Sequence, residues 1–180
     1  MTHELDVLET ISKRLEAAGL PFMITGSVAL AYYATPRMTR DIDIVVALSP
    51  ATFGALKNAL ADDFYIDPDY ALEAIRSERM FNLMHLASGI KVDLIVRKST
   101  EYRQLEFSRR RAINLGGVST WIVSREDLIL SKLEWSRESA SELQRRDIAQ
   151  LLAGPVDWDH LLRWAVVLGV QSALQELRPC

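Results

Sequence analysis

The chain has 180 residues, which fits one globular domain with a sizeable core, and its 49% hydrophobic and 25% charged residues exclude a disordered protein. A formal net charge of −3 excludes a general nucleic-acid coat protein, and the single cysteine, Cys180, excludes an intrachain disulfide or a cysteine-based metal site. The N-terminal residues are acidic, unlike a secretion signal, and no apolar run is long enough to cross a membrane, so we expect a cytoplasmic protein without a membrane partner.

Apolar spacing and turn residues predict alternating helices and strands over the first two thirds of the chain. A first helix places Leu5, Leu8, Ile11 and Leu15 on one face and ends at Gly19. The next predicted elements are the strand "PFMIT", a turn at Gly26-Ser27, the helix "VALAYYA", the loop "TPRMTR", the strand "DIDIVVAL" and a helix from Ser49-Pro50 to about Ala61. They are followed by the helix "DYALEAIRSERM", the paired strands "FNLMHLA" and "IKVDLIV", and the hairpin "RAINLGGVSTWIV".

From Ser124 onward the pattern becomes helical, and Ser124 with Asp127 resembles a capping box. Three helices are predicted over about 125–138, 140–153 and 157–177, with a break at Gly154-Pro155 and a further candidate break at Gly169. We therefore predict an α/β (α+β) fold class, in which a core over residues 1–123 packs on a helical part over residues 124–180.

Two aspartates interrupt the strand "DIDIVVAL". Side chains at i and i+2 of a strand point to one face, so Asp41 and Asp43 share a face, while Ile42 and Ile44 lie on the other. Two carboxylates this close repel each other unless a cation lies between them. Mg²⁺ or Mn²⁺ prefers such oxygen ligands, so the pattern predicts a metal site.

A third carboxylate, Asp93, lies in the alternating strand "IKVDLIV" on the face opposite to Val92 and Leu94. Three carboxylates on adjacent strands can hold two metal ions, which would clamp the attacking oxygen and the bridging phosphate in phosphoryl transfer. One aspartate could then accept the proton of the attacking hydroxyl group.

The Gly26-Ser27 pair lies where a strand gives way to a helix, and free backbone N–H groups at such a position favour an anion. Glycine permits close approach of a phosphate to the backbone, and the serine hydroxyl adds a donor. A phosphate site beside a metal site is the arrangement that phosphoryl transfer needs. Taken alone, however, an Asp-x-Asp pair or a Gly-Ser turn is more often structural.

Together these motifs, "GS", thirteen intervening residues and "DID", resemble the signature of the DNA polymerase β-type nucleotidyltransferase superfamily, and Asp93 in "KVDLIV" resembles its third carboxylate. The resemblance covers residues from about 22 to 97. It implies a mixed sheet flanked by helices, a nucleoside triphosphate donor, Mg²⁺, and transfer of a nucleoside monophosphate to an acceptor. Asp41, Asp43 and Asp93 would be both the catalytic residues and the metal ligands.

Within that superfamily, the segments "TPRMTRDIDIVV" and "SREDLILSKLEWSRESASELQRRDIAQLL" resemble the AbiE-type toxin nucleotidyltransferases. That likeness makes a tRNA end the first choice of acceptor, with a protein or a small hydroxyl compound as alternatives. It also implies a toxin-antitoxin role with a cognate antitoxin or other protein partner.

Lys132 and Asp147 each place a charge beside or within the apolar face of a predicted helix, and such charges need partners. They form either an ion pair that joins two helices or part of the nucleotide site, and the toxin resemblance favours the site. Arg37 and Arg40 flank the loop before Asp41, where they could contact donor phosphates or the acceptor, although loop arginines are more often solvated.

Three functions remain in competition. The first is a metal-dependent nucleotidyltransferase, and the second is a non-catalytic nucleotide-binding or antitoxin-like module on the same fold. The third is a metal-dependent nuclease, which would leave the Gly-Ser turn unexplained. The four tryptophans, Trp121, Trp135, Trp158 and Trp164, lie in apolar stretches, which favours core packing over base stacking.

Overall fold

A seven-stranded sheet is the centre of the computed structural model, which describes residues 2–35, 41–139 and 142–178. The strands are β1 (Phe22–Ile24), β2 (Asp41–Val46), β3 (Phe64–Tyr65), β4 (Met80–His85), β5 (Lys91–Val96), β6 (Arg111–Leu115) and β7 (Val118–Ile122). The helices are α1 (Thr2–Ala17), α2 (Gly26–Tyr33), α3 (Phe53–Leu60), α4 (Pro68–Arg76), α5 (Glu101–Ser108), α6 (Arg125–Ser139), α7 (Glu142–Leu152), α8 (Trp158–Val167) and α9 (Gln171–Glu176).

The strands lie in the order β3-β4-β5-β2-β1-β7-β6. β2 pairs with β5 in parallel, as β1 does with β7, while the other neighbours are antiparallel. The sheet is therefore mixed and flanked by helices, which confirms the predicted fold class. Because β2 and β5 run in parallel at the centre, the aspartates of these two strands come to the same end of the sheet.

The two faces of the central strands have opposite character. Ile42 and Ile44 of β2 and Val92 and Leu94 of β5 are buried in the core. Burial of each such side chain stabilises the fold by about 1.5–3 kcal/mol. The opposite face carries the polar groups described below, and the buried face fixes which way these groups point, because a slip of one residue would exchange the two faces.

Several element boundaries differ from the sequence predictions. The helix α2 begins at Gly26 itself, and α3 begins at Phe53 with Thr52 as its N-cap residue, so Ser49-Pro50 does not start it. The strand β3 and the helix α5 were not predicted, because β3 has only two residues and α5 buries the charged Glu106 within its apolar face.

The helical part begins at Ser124 as predicted, because α6 starts at Arg125 and Ser124 caps it. The Asp127 backbone N–H donates to Ser124 Oγ at 3.1 Å, and Ser124 Oγ donates to Asp127 Oδ2 at 2.6 Å. Asp127 is fully buried and also bonds His160 Nε2 at 2.8 Å and Arg109 Nε at 3.0 Å. These hydrogen bonds hold its pKa below the ordinary value despite burial. The resulting network ties α6 to α8.

The predicted last helix is two helices. Gly169 lies between α8 and α9 with φ +67°, a left-handed conformation that glycine adopts without strain. None of the helices in the described ranges has the length and apolar content that a membrane crossing needs.

Candidate active site

The predicted carboxylates lie on adjacent strands. Asp43 of β2 is directly opposite Asp93 of β5, and Asp41 is opposite Lys91. Ile42 and Ile44 are buried on the opposite face of β2, so Asp41 and Asp43 share a face, and the register puts Asp93 on that same face of the sheet. The parallel register of β2 and β5 thus brings the three carboxylates together.

Gly26 and Ser27 come next to this cluster because β1 pairs with β2. The Thr25 backbone N–H donates to the Asp43 carbonyl at 2.9 Å, and the Ser27 backbone N–H donates to the Asp43 carboxylate. The first turn of α2 therefore points its N–H groups at the carboxylate face. The side chain of Ser27 is buried at this position.

Gly26 has no room for a side chain. Its φ is +60°, and a β-carbon there would lie 2.7 Å from Cγ of Asp43 and overlap the carboxylate. Glycine is needed both for the left-handed backbone and for the close approach of the helix N-terminus to Asp43.

The resemblance to nucleotidyltransferases predicts that Gly26→Ala abolishes nucleotide binding. We also expect this substitution to destabilise the fold by about 1–3 kcal/mol, because the new methyl group displaces Asp43 and strains the backbone. Gly54→Ala is the matched control, since a β-carbon at Gly54 in α3 meets nothing within 4 Å. Thermal unfolding and nucleotide titration of both variants measure the effect. Equal behaviour of the two variants would contradict the assigned role of Gly26.

Burial raises the pKa of Asp43 to about 6, and repulsion from Asp93 and Asp41 adds to the rise. The Ser27 N–H and the charge of Lys132 act in the opposite direction. A desolvated carboxylate beside two others is an environment that a divalent cation would stabilise, and carboxylate oxygens are the ligands that Mg²⁺ and Mn²⁺ prefer.

This raised pKa predicts a pH-dependent stability. The folded chain holds the Asp43 proton more tightly than the unfolded chain, so the stabilisation is complete below pH 3.8 and is lost as the pH rises through about 6. We expect the unfolding free energy of the wild type, relative to Asp43→Asn, to fall by about 3 kcal/mol at most between pH 4 and pH 7. Chemical denaturation of both proteins across this range measures it, and a difference that does not change with pH would contradict the prediction.

Asp93 is bound by two side chains that the sequence analysis did not select. It is 6% exposed; its Oδ1 accepts from Asn82 Nδ2 at 2.6 Å, and its Oδ2 lies 3.0 Å from Lys91 Nζ. Lys91 Nζ also lies 3.6 Å from Asp41 Oδ2, and the two carboxylates raise the pKa of Lys91.

Within the described ranges, no three His, Cys, Asp or Glu side chains are arranged to hold a metal ion.

Strand spacing could have identified Lys91, because it stands two residues before Asp93 and so shares its face. Asn82 follows only from the antiparallel register of β4 and β5, which places it opposite Asp93. The sequence alone does not fix that register.

A cavity of about 200 Å³ opens in front of Asp41 and Asp43. One wall is formed by the start of α2, and the other by α6 and α7. Its lining residues are Thr25, Gly26, Ser27, Asp41, Asp43, Leu128, Ser131, Lys132, Trp135 and Gln144.

Lys132 is both an ion-pair partner and a cavity residue. Its Nζ lies 2.8 Å from Asp147 Oδ2 and 3.0 Å from Gln144 Oε1, and Lys132 and Asp147 are only 5% and 2% exposed. Asp147 is not among the residues that line the cavity, so it holds the Lys132 ammonium group without facing the cavity itself. The two alternatives for this pair are therefore compatible with each other.

Ser131 is held in the cavity wall by charged neighbours. Arg103 Nη1 donates to Ser131 Oγ at 2.6 Å, and Ser131 Oγ donates to Glu106 Oε1 at 2.7 Å. Glu106 is 2% exposed, and burial raises its pKa. This chain of hydrogen bonds fixes α6 against α5.

The expectation that all four tryptophans pack in the core was wrong for Trp135. Its side chain is 48% exposed at the rim of the cavity, whereas Trp164 is buried. The apolar character of the local sequence does not reveal this exposure. Arg37 and Arg40 lie outside the described residues.

Comparison with known proteins gives the family and the fold. Residues 1–172 match the family described as a nucleotidyltransferase of unknown function (DUF6036). No curated protein matches the chain in sequence.

Three solved structures share the fold at low sequence identity. The antibiotic-resistance factor ANT(2'')-Ia has 14% identity over 97% of this chain and 92% of its own, with a TM-score of 0.63. An antigenic nucleotidyltransferase-like protein from Paracoccidioides brasiliensis has 16% identity over 99% and 95%, with a TM-score of 0.59. The lincomycin-bound lincosamide antibiotic adenylyltransferase LnuA has 14% identity over 83% and 92%, with a TM-score of 0.51.

Proposed function

The chain belongs to the nucleotidyltransferase family DUF6036, so its reaction is nucleotidyl transfer, and we propose that the cavity in front of Asp41 and Asp43 is the centre of that reaction. One observation carries the proposal. A single cavity is bordered by two carboxylates, by the N-terminus of α2 and by the buried Lys132. The carboxylates can hold a cation, the N-terminus of α2 can bind the phosphate chain, and Lys132 can make a second phosphate contact.

The donor is a nucleoside triphosphate. Gly26 and Ser27 bind its phosphates through backbone N–H groups and the serine hydroxyl. Lys132 contacts the phosphates as a point charge, and Asp147 positions it. Trp135, which is 48% exposed and lines the cavity, stacks on the base. Arg37 and Arg40, outside the described residues, supply further contacts to the phosphates or the acceptor.

Asp41, Asp43 and Asp93 would hold Mg²⁺ or Mn²⁺. A divalent ion held there would supply positive charge that stabilises the charge developing on the phosphoryl oxygens. An acceptor hydroxyl oxygen attacks the α-phosphorus, the bond to the β-phosphate oxygen breaks, and pyrophosphate leaves. An aspartate of this cluster accepts the hydroxyl proton. Residues 1–123 form the catalytic core in this scheme, and residues 124–180 form the helical part that completes the nucleotide site.

A tRNA end is our first choice of acceptor, on the resemblance of two segments to AbiE-type toxins. The same resemblance leads us to propose a toxin-antitoxin role with a cognate antitoxin as protein partner. A protein hydroxyl group and a small hydroxyl compound are the alternative acceptors. The likeness in fold to the antibiotic-resistance factor ANT(2'')-Ia and the lincosamide antibiotic adenylyltransferase LnuA supports the small compound.

The direct test is incubation of the protein with Mg²⁺ and each α-labelled nucleoside triphosphate in turn. Separate reactions contain tRNA, a cell extract or a set of small hydroxyl compounds as the acceptor. We expect label in one acceptor class and release of pyrophosphate. Label in none, with neither triphosphate nor metal bound, would reject the proposal. Triphosphate binding without transfer would favour the non-catalytic module, and cleavage of nucleic acid without triphosphate would favour a nuclease.

Thermal stability gives an independent measure that needs no acceptor. Mg²⁺ with triphosphate at 100 times its dissociation constant should stabilise the folded chain by about 2.7 kcal/mol. The double variant Asp41→Asn, Asp43→Asn should lose that gain.

A further inference from the structure

Lys91 places a positive charge inside the carboxylate cluster. Its Nζ lies 3.0 Å from Asp93 Oδ2 and 3.6 Å from Asp41 Oδ2, so the ammonium group bridges two of the three proposed metal ligands. The backbone fixes this position, because Lys91 is opposite Asp41 across the parallel pair and two residues before Asp93 along β5.

Asp93 has no oxygen atom without a protein partner. Asn82 Nδ2 donates to Oδ1 at 2.6 Å, and Lys91 Nζ holds Oδ2. A second metal ion bridging Asp93 and Asp41 would need to come within about 2 Å of the oxygens that the ammonium group already contacts. While the lysine side chain stays in place, its positive charge opposes a second cation at these oxygens.

Asp43 is differently surrounded. It accepts from the Ser27 backbone N–H, and the charge of Lys132 acts on it from the cavity wall. Asp41 and Asp43 face the cavity, whereas Asp93 is not among the lining residues. The cluster therefore divides into two carboxylates that line the cavity, of which Asp41 also lies 3.6 Å from Lys91 Nζ, and one carboxylate, Asp93, that the protein neutralises.

We propose that Lys91 is a resident counter-cation, so that this centre takes one divalent ion, at Asp41 and Asp43, and the ammonium group stands in the position of a second ion. Lys91 is a positioning residue that acts through Asp93 and Asp41. The inference rests on the proposed metal-dependent function and replaces the two metal ions expected from three carboxylates.

The test counts Mn²⁺ ions bound per full-length chain, by loss of the electron paramagnetic resonance signal of free Mn²⁺, with a saturating non-hydrolysable nucleoside triphosphate. We expect one ion in the wild type and two in Lys91→Met. The affinity of the variant for the second ion should exceed any residual affinity of the wild type for a second ion at least tenfold. Lys91→Arg keeps the charge and should bind one ion. Lys98→Met, which removes an exposed lysine just beyond β5, should also bind one.

Each outcome has a separate meaning. Two ions of similar affinity in the wild type, or a single ion in Lys91→Met, would overturn the inference and leave the proposed function intact. No ion in any variant would instead reject the proposed metal-dependent function. Circular dichroism checks that each variant is folded, and Lys91→Gln replaces Lys91→Met if the methionine variant does not fold.

Discussion

Asp43→Asn should reduce the rate of nucleotidyl transfer by about 10³-fold or more, because a carboxylate that holds a catalytic cation contributes several kcal/mol to the transition state. Asparagine retains the shape of the side chain and can still accept a hydrogen bond from the Ser27 N–H. The loss should therefore appear in catalysis and in metal binding, with the fold intact.

The same substitution should not destabilise the metal-free protein at pH 8, and it should raise its melting temperature. The reason is that burial and two neighbouring carboxylates make the charged form of Asp43 unfavourable, which is why its pKa rises to about 6. A loss of catalysis together with a gain in stability is the combination expected for a charge that function holds in an unfavourable position.

Asp69→Asn, at an exposed position in the first turn of α4, is the matched control and should change neither property. Rates under steady-state labelling and calorimetric melting temperatures measure the two effects. A variant with wild-type transfer would remove Asp43 from the catalytic centre. A strongly destabilised variant would show that its charge is already compensated in the metal-free protein.

Lys132→Met should cost about 3–5 kcal/mol of stability, because it leaves the buried Asp147 carboxylate without its cation. For a chain of this size the melting temperature falls by about 6–20 °C. The double variant Lys132→Met, Asp147→Leu leaves no uncompensated charge and should recover most of that loss. Arg146→Ala is the control in α7, the helix that carries Asp147, since the pair of Arg146 with Glu142 is exposed and should contribute little.

The double variant also decides whether Lys132 has a role beyond the ion pair. We expect it to be stable but to bind triphosphate weakly, because the cavity has lost its buried positive charge. A stable double variant with wild-type nucleotide affinity would show that the pair serves only to join α6 and α7. Isothermal titration of triphosphate into the three variants makes the distinction.

Much of the fold followed from local patterns. The alternation of Ile42 and Ile44 with two aspartates required a strand with one buried face, and the β4–β5 and β6–β7 pairs followed from their turn glycines. The family confirms the nucleotidyltransferase prediction made from the Gly-Ser and Asp-x-Asp spacing. The closer likeness to AbiE-type toxins, the acceptor and the roles of individual site residues stay predictions.

The sequence by itself determined six of the seven described strands, the buried side of β2 and β5, and the reaction class, because side-chain alternation and turn chemistry act within a few residues. Only the tertiary structure decided that Asn82 and Lys91 bind Asp93, that Lys132 reaches the cavity while paired with Asp147, and that Trp135 is exposed at its rim. These facts depend on strand register and on how α6 and α7 pack against α2, and both are set by contacts between residues far apart in the chain. The number of cations that we propose for the three aspartates likewise depends on a lysine whose partners lie on two different strands.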